Sequence, residues 1–69
     1  VMRAPLKQFL IRMRLMRARA LLVESSMAIG SIAEASGFSS LSQFYAQFKA
    51  GYGMPPAEMR DQYLRMELR

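Results

Sequence analysis

Ile32-Ala33-Glu34-Ala35-Ser36-Gly37-Phe38-Ser39-Ser40 runs straight into Leu41-Ser42-Gln43-Phe44-Tyr45-Ala46-Gln47-Phe48-Lys49, and the reading of this stretch decides the fold. A short amphipathic run stops at a glycine, and a serine pair opens a second helical run. Gly37 is suited to a positive φ that turns the chain sharply. Ala33 is small enough to let the two helices cross closely. Ser40-Leu41-Ser42-Gln43 has the form of a capping box, with Ser40 at the cap and Gln43 reaching back. Phe44 and Phe48, four apart, face inward with Phe38, while Leu41, Ser42, Tyr45, Ala46 and Lys49 face the other way. Two helices meeting at such a turn are the sequence form of a helix-turn-helix, a unit that sets its second helix in the major groove of DNA.

Outward from this stretch the chain reads as helical throughout. Pro5 fits the first position of a helix, where its missing N–H costs nothing. From Leu6 to about Glu24 there is no Gly or Pro, and strong helix formers dominate. Leu15, Ala18, Leu21 and Leu22 mark one face, and Phe9 and Leu10 are expected to extend it. Ser25-Ser26 breaks the pattern. A short helix over about Ile29 to Ser36 is expected to bury Ile29, Ile32 and Ala33. Ala28 cannot cap that helix and Gly30 costs it roughly 1 kcal/mol relative to Ala, so it should fray at its start unless Ser26 substitutes. The next helix should reach about Ala50, near Gly51 and Gly53. After Pro55-Pro56 a last helix should run to about Leu68, with Met59, Tyr63 and Met66 as its buried stripe. The expected organisation is a tail at 1–4 and one helical domain at 5–69. Within it lie a linker helix (5–24), the helix-turn-helix (29–50) and a closing helix (55–68). The fold class is all-α with about four helices: a homeodomain-like three-helix unit behind a long linker helix.

At 69 residues the chain is one small domain, and 52% hydrophobic content suffices for a compact helical core. Seven Met residues suit an adaptable core or one that has lost a neighbour. The absence of Cys and His excludes disulfides, thiolate chemistry and zinc sites of the usual ligand types. It also removes the commonest general base. Five acids scattered over three helices form no recognisable pair, and Ser25-Ser26 and Ser39-Ser40 have no histidine to activate them. No glycine-rich phosphate loop precedes a helix. The expectation is therefore no enzyme, no cofactor and no metal. No apolar run approaches a membrane span and no secretory h-region opens the chain, which makes the cytoplasm the default location.

A net charge of +5 and a pI near 10.5 fit a polyanionic partner. The charge is uneven. Up to Val23 the bases are Arg3, Lys7, Arg12, Arg14, Arg17 and Arg19, with no acid. Beyond it Lys49, Arg60, Arg65 and Arg69 are outnumbered by Glu24, Glu34, Glu58, Asp61 and Glu67. Most of the attraction to DNA should thus come from the amino-terminal helix.

Arg14-Leu15, Ala18, Leu21-Leu22, Ile32-Ala33, Gly37-Phe38, Ser40, Phe44, Phe48-Lys49, Gly53, Pro56 and Arg60 form one continuous pattern. It resembles the carboxy-terminal DNA-binding region of the AraC/XylS family of bacterial transcription regulators, over roughly residues 5 to 60. Members carry two helix-turn-helix units joined by a long helix. The resemblance implies the joining helix plus the second unit here, with Ala4-Pro5 and Phe9 closing an absent first unit. Together with Val1 at the start, it leads to the expectation that the chain is a fragment. The positions matching base-facing places are Leu41, Ser42, Tyr45 and Ala46. Candidate phosphate contacts are Ser39, Ser40 and Lys49, with the free N–H groups at the helix start. Members often carry Arg where Ala46 stands, so the sequence preference of this unit should be soft. Arg14 and Arg60 match family arginines whose expected role is structural. The resemblance also implies a sensory or oligomerisation domain and contact with RNA polymerase in the intact regulator.

Other readings compete. An uncovered apolar surface on the linker helix would make the chain a self-associating or protein-interaction module with only non-specific DNA affinity. Binding of the basic helix Leu6–Val23 to a membrane surface is weaker, because that helix has an intramolecular partner.

Overall fold

The computed structural model describes residues 6–67. Among the described residues there are four α-helices and no strand: α1 (Leu6–Glu24), α2 (Ile29–Ala35), α3 (Leu41–Tyr52) and α4 (Pro56–Glu67). The all-α expectation holds. The tail at 1–4, Pro5 as helix opener and Leu68 as helix end lie outside the described residues.

The core is one cluster. Leu15, Ala18 and Leu22 of α1 pack on Ile32 and Ala33 of α2, Phe38 of the turn, and Phe44 and Phe48 of α3. Phe44 and Phe48 are fully buried, and each such side chain contributes roughly 1.5–3 kcal/mol by leaving water. Their rings follow one another down α3. Phe38–Phe44 centroids lie 5.1 Å apart, Phe44–Phe48 5.6 Å and Phe48–Tyr52 4.7 Å, all tilted or edge-on as ring quadrupoles prefer. The phenylalanines are thus core residues, as their spacing implies.

The turn between α2 and α3 is fixed by its backbone. Gly37 sits at φ +94°, and the N–H of Phe38 donates to the Ala33 carbonyl while that of Gly37 donates to Glu34. This is the Schellman closure, with Phe38 packing back onto the end of the helix. Arg14 lies across the turn from α1: a Cβ on Gly37 would stand 3.3 Å from its Nε.

α3 runs one half-turn past the expected end. Gly51 is inside the helix, and a Cβ there would meet Leu15 Cδ1 at 2.9 Å. The missing side chain lets α3 approach α1 closely. Gly53, at φ +80°, ends α3 with its N–H on the Lys49 carbonyl.

At the α1–α2 junction the serine that works is Ser25. Its Oγ donates to the Leu21 carbonyl at 2.7 Å and accepts from the Met27 N–H at 3.2 Å. Ser26 is exposed and takes no such role, and Ala28 leaves α2 without a side-chain cap. Arg60 then ties α4 to the same place. Its Nε donates to the Leu22 carbonyl at 3.0 Å and its Nη2 to that of Ser25 at 3.2 Å. A planar guanidinium thereby satisfies carbonyls that the end of α1 would leave unpaired.

Three expectations about apolar faces fail. Phe9 (57% exposed) and Leu10 (41%) do not extend the buried face of α1. At 100° per residue they lie on the opposite side of the helix from Leu15 and Leu22, with Leu6, Met13 and Met16 beside them. In α4 Pro56 is fully buried and Met59 packs partly against the core, while Tyr63 and Met66 stay exposed, Tyr63 bordering a shallow groove with Leu22 and Val23. Ile29 is half-buried, packing on the core edge rather than inside it.

Candidate nucleic-acid interface

The exposed surface of α3 is set by what its other side buries. With Phe44 and Phe48 wholly inside, the helix period turns Ser42, Ala46, Lys49 and Ala50 outward. Leu41 and Tyr45 flank that surface at 45% and 39% exposure, large apolar groups held in water on a helix with a well-made start. Leu41, Ser42, Tyr45 and Ala46 therefore share one accessible side, running along the first half of the helix. Lys49 is exposed a turn further on.

The helix start is built by Ser40. Its backbone is extended, and its Oγ accepts from the Gln43 N–H at 3.1 Å. Accepting leaves the hydroxyl hydrogen of Ser40 free to donate. Ser39 differs. Its hydroxyl donates to Gln43 Oε1 at 2.7 Å, so its one hydrogen is already engaged. The capping box is therefore half made: Gln43 reaches back to the neighbouring hydroxyl instead of the cap backbone. The S-x-x-Q pattern points to Gln43 only as a capping partner, yet its side chain is exposed beside Ser42 and Ala46.

An open groove separates α2 from the start of α3, lined by Gly30, Ser31, Glu34, Ser39, Ser40 and Leu41. Small side chains on both walls leave the backbone near the surface. Positive charge comes from α1, where Lys7, Arg12, Arg17 and Arg19 are exposed. Arg12 also borders a groove with Gln47, Ala50 and Gly51, bringing one of these cations beside the second half of α3. Among the described residues no group of His, Cys, Asp or Glu could hold a metal, and no helix is long and apolar enough to cross a membrane.

This geometry agrees with what the chain is similar to. Residues 1–62 match the family model described as "Helix-turn-helix domain". The melibiose operon regulatory protein of Escherichia coli K12 is 40% identical over 60 residues, covering 87% of this chain and 20% of the relative. The xylose operon regulatory protein of the same strain is 40% identical over 48 residues, covering 70% and 12%. The HTH-type transcriptional activator RhaS of Pectobacterium carotovorum is 36% identical over 61 residues, covering 88% and 22%. The chain thus spans about a fifth or less of the relatives it matches. No solved structure matches it. A helix-turn-helix core, a basic flanking helix and these relatives lead to one conclusion: the chain belongs to the AraC-type helix-turn-helix family of DNA-binding transcription regulators, which is not an enzyme family.

Proposed function

We propose that this chain binds duplex DNA with sequence preference by laying the first half of α3 in the major groove. The observation that carries this is the accessible side of α3, where Leu41 and Tyr45 stand exposed beside Ser42 and Ala46 on a capped helix. Ser42 hydrogen-bonds base edges, Leu41 and Ala46 touch thymine methyls, and Tyr45 reaches a phosphate or lies along the groove wall. Ser40 and Lys49 donate to phosphates. Ser39 joins them only by releasing Gln43. The cations of α1 supply most of the salt-dependent affinity.

Residues 5–69 act as one helical domain, equivalent to the joining helix and second helix-turn-helix of a longer regulator working in the cytoplasm. What supports this is the bare stripe Leu6, Phe9, Leu10, Met13 and Met16, a surface of the kind that a preceding helix-turn-helix unit would cover. Contact with RNA polymerase belongs to that intact regulator. The same stripe favours a second reading, in which the isolated chain self-associates and holds DNA only non-specifically.

Enrichment of short sites from a random duplex pool, at low and near-physiological salt, tests the first reading. A short enriched site that disappears in the double variant Ser42→Ala, Tyr45→Ala is expected. Salt-sensitive retention without any enriched site, joined to light scattering that rises with concentration, would replace it by the second.

A further inference from the structure

We propose that Gln43 is a base-reading residue of α3, and that the Ser39 hydroxyl positions it. This rests on the reading of α3 as the helix that enters the major groove. Bidentate recognition of a base edge takes Arg, Lys, Asn or Gln, because it needs two polar atoms set in one fork or plane. On the first two turns of α3 the exposed side chains are Leu41, Ser42, Gln43, Tyr45 and Ala46. Gln43 alone among them carries such a group. Around the helix it lies roughly 60° from Ala46 and 100° from Ser42, on the outward side, with Leu41 and Tyr45 at its far edge about 160° away. Ala46 is a methyl group three residues further on, so nothing long stands between the Gln43 carboxamide and a base edge.

A free glutamine on a helix surface samples many rotamers, and holding one costs entropy when it binds. Here that freedom is already reduced. The Ser39 hydroxyl donates to Oε1 at 2.7 Å, from a residue just outside the helix. The bond fixes the plane of the carboxamide and leaves both Nε2 hydrogens free. The backbone cap is a separate bond, from the Gln43 N–H to Ser40 Oγ, and does not involve the Gln43 side chain. The helix start therefore survives replacement of either partner of the side-chain bond. Ser39 is a positioning residue and Gln43 the reader.

The test measures the affinity of the full 69-residue chain for a duplex carrying its enriched site and for each single-base-pair variant of it. Gln43→Ala should flatten discrimination at one base pair by about tenfold, leaving the other positions unchanged. Ser39→Ala should weaken discrimination several-fold at that same base pair, and Ser39→Thr, which keeps the hydroxyl, should restore it. A uniform loss of affinity in Gln43→Ala, with no position singled out, would overturn base reading in favour of a phosphate contact. Full discrimination retained in Gln43→Ala overturns the proposal while leaving α3 as the reading helix. Ser39→Ala behaving as wild type at the position Gln43 controls overturns the positioning role. A wild-type chain that distinguishes no base pair overturns this proposal and the reading beneath it together.

Discussion

The two apolar stripes of α1 are alike in composition and opposite in fate. Leu15, Ala18 and Leu22 are buried on one side by α2 and α3, with Ile11 packed at the edge. Leu6, Phe9, Leu10, Met13 and Met16 stand between 41% and 71% exposed on the other. Hydrophobicity drives burial only where a second surface arrives to share it, because the gain scales with area removed from water. The carboxy-terminal half of α1 receives that surface from three helices. Towards its amino terminus Ile11 still packs on the core edge, and it is the opposite side of the helix that no described neighbour covers. The lesson is that an apolar helix face states a demand for a partner and does not name one.

The comparison is tested most severely by matched truncations. Phe44→Ala should destabilise the chain by about 3–5 kcal/mol, since a fully buried ring leaves a cavity. In a domain this small that is enough to unfold it, which loss of far-ultraviolet circular dichroism on mild heating would show. Phe9→Ala should change the unfolding free energy by less than about 0.5 kcal/mol, as surface substitutions do. A cost for Phe9→Ala comparable with that of Phe44→Ala would mean the bare stripe is covered in solution, and a concentration-dependent midpoint would identify a second copy as the cover.

A smaller effect probes how the clad half stays clad. Arg60→Ala removes both hydrogen bonds to the Leu22 and Ser25 carbonyls. Bonds from a charged donor contribute about 1.5–3 kcal/mol each, and partial exposure and water access to the freed carbonyls pull the expected loss towards about 2 kcal/mol in total. Arg60→Lys should recover little, because one ammonium cannot span two carbonyls as the guanidinium fork does. Urea denaturation would check both. By contrast the Arg65–Asp61 pair, 3.1 Å long and exposed on both sides, holds nothing together beyond its own helix turn.

The smallest effect carries the opposite sign. Ser36 is 4% exposed and its Oγ has no hydrogen-bond partner, an unusual position for a hydroxyl in the clad region. Ser36→Ala should be neutral or stabilise by up to about 1 kcal/mol, since it removes an unpaired buried polar group at little change of volume. A loss of more than about 1 kcal/mol in thermal unfolding would show that the hydroxyl is satisfied by water.

Much of this was legible in residue order because the signals are local. The glycine at 37, the serine cap at 40 and the 44–48 aromatic pair each act within one or two helical turns, and all appear as read. Arg60 likewise takes the structural role expected of it, bonding backbone carbonyls at the end of α1. Among the candidate site residues, exposure of Ser42 and Ala46 follows directly from burial of Phe44 and Phe48 on the other side of the helix, whereas Leu41, one heptad before Phe48, is 45% exposed although the period puts it on the buried side. What was misread is equally instructive. S-x-x-Q points Gln43 back to the cap backbone, yet its carboxamide takes the Ser39 hydroxyl instead. Ser26 does not substitute for the missing cap of α2, and the serine that bonds the backbone at this junction is Ser25, whose hydroxyl the last turn of α1 aims at the Leu21 carbonyl.

By itself the sequence determined the helices, their stops, the turn geometry and the outward side of α3, since helical period and backbone preference depend only on near neighbours. Only the tertiary structure decided which side of α1 and which end of α4 are covered. Phe9 and Leu22 sit on equally apolar stretches, and Tyr63 and Met59 on the same helix. What separates them is which side and which length of each helix its neighbours cover, a fact of packing across tens of residues that no local pattern encodes.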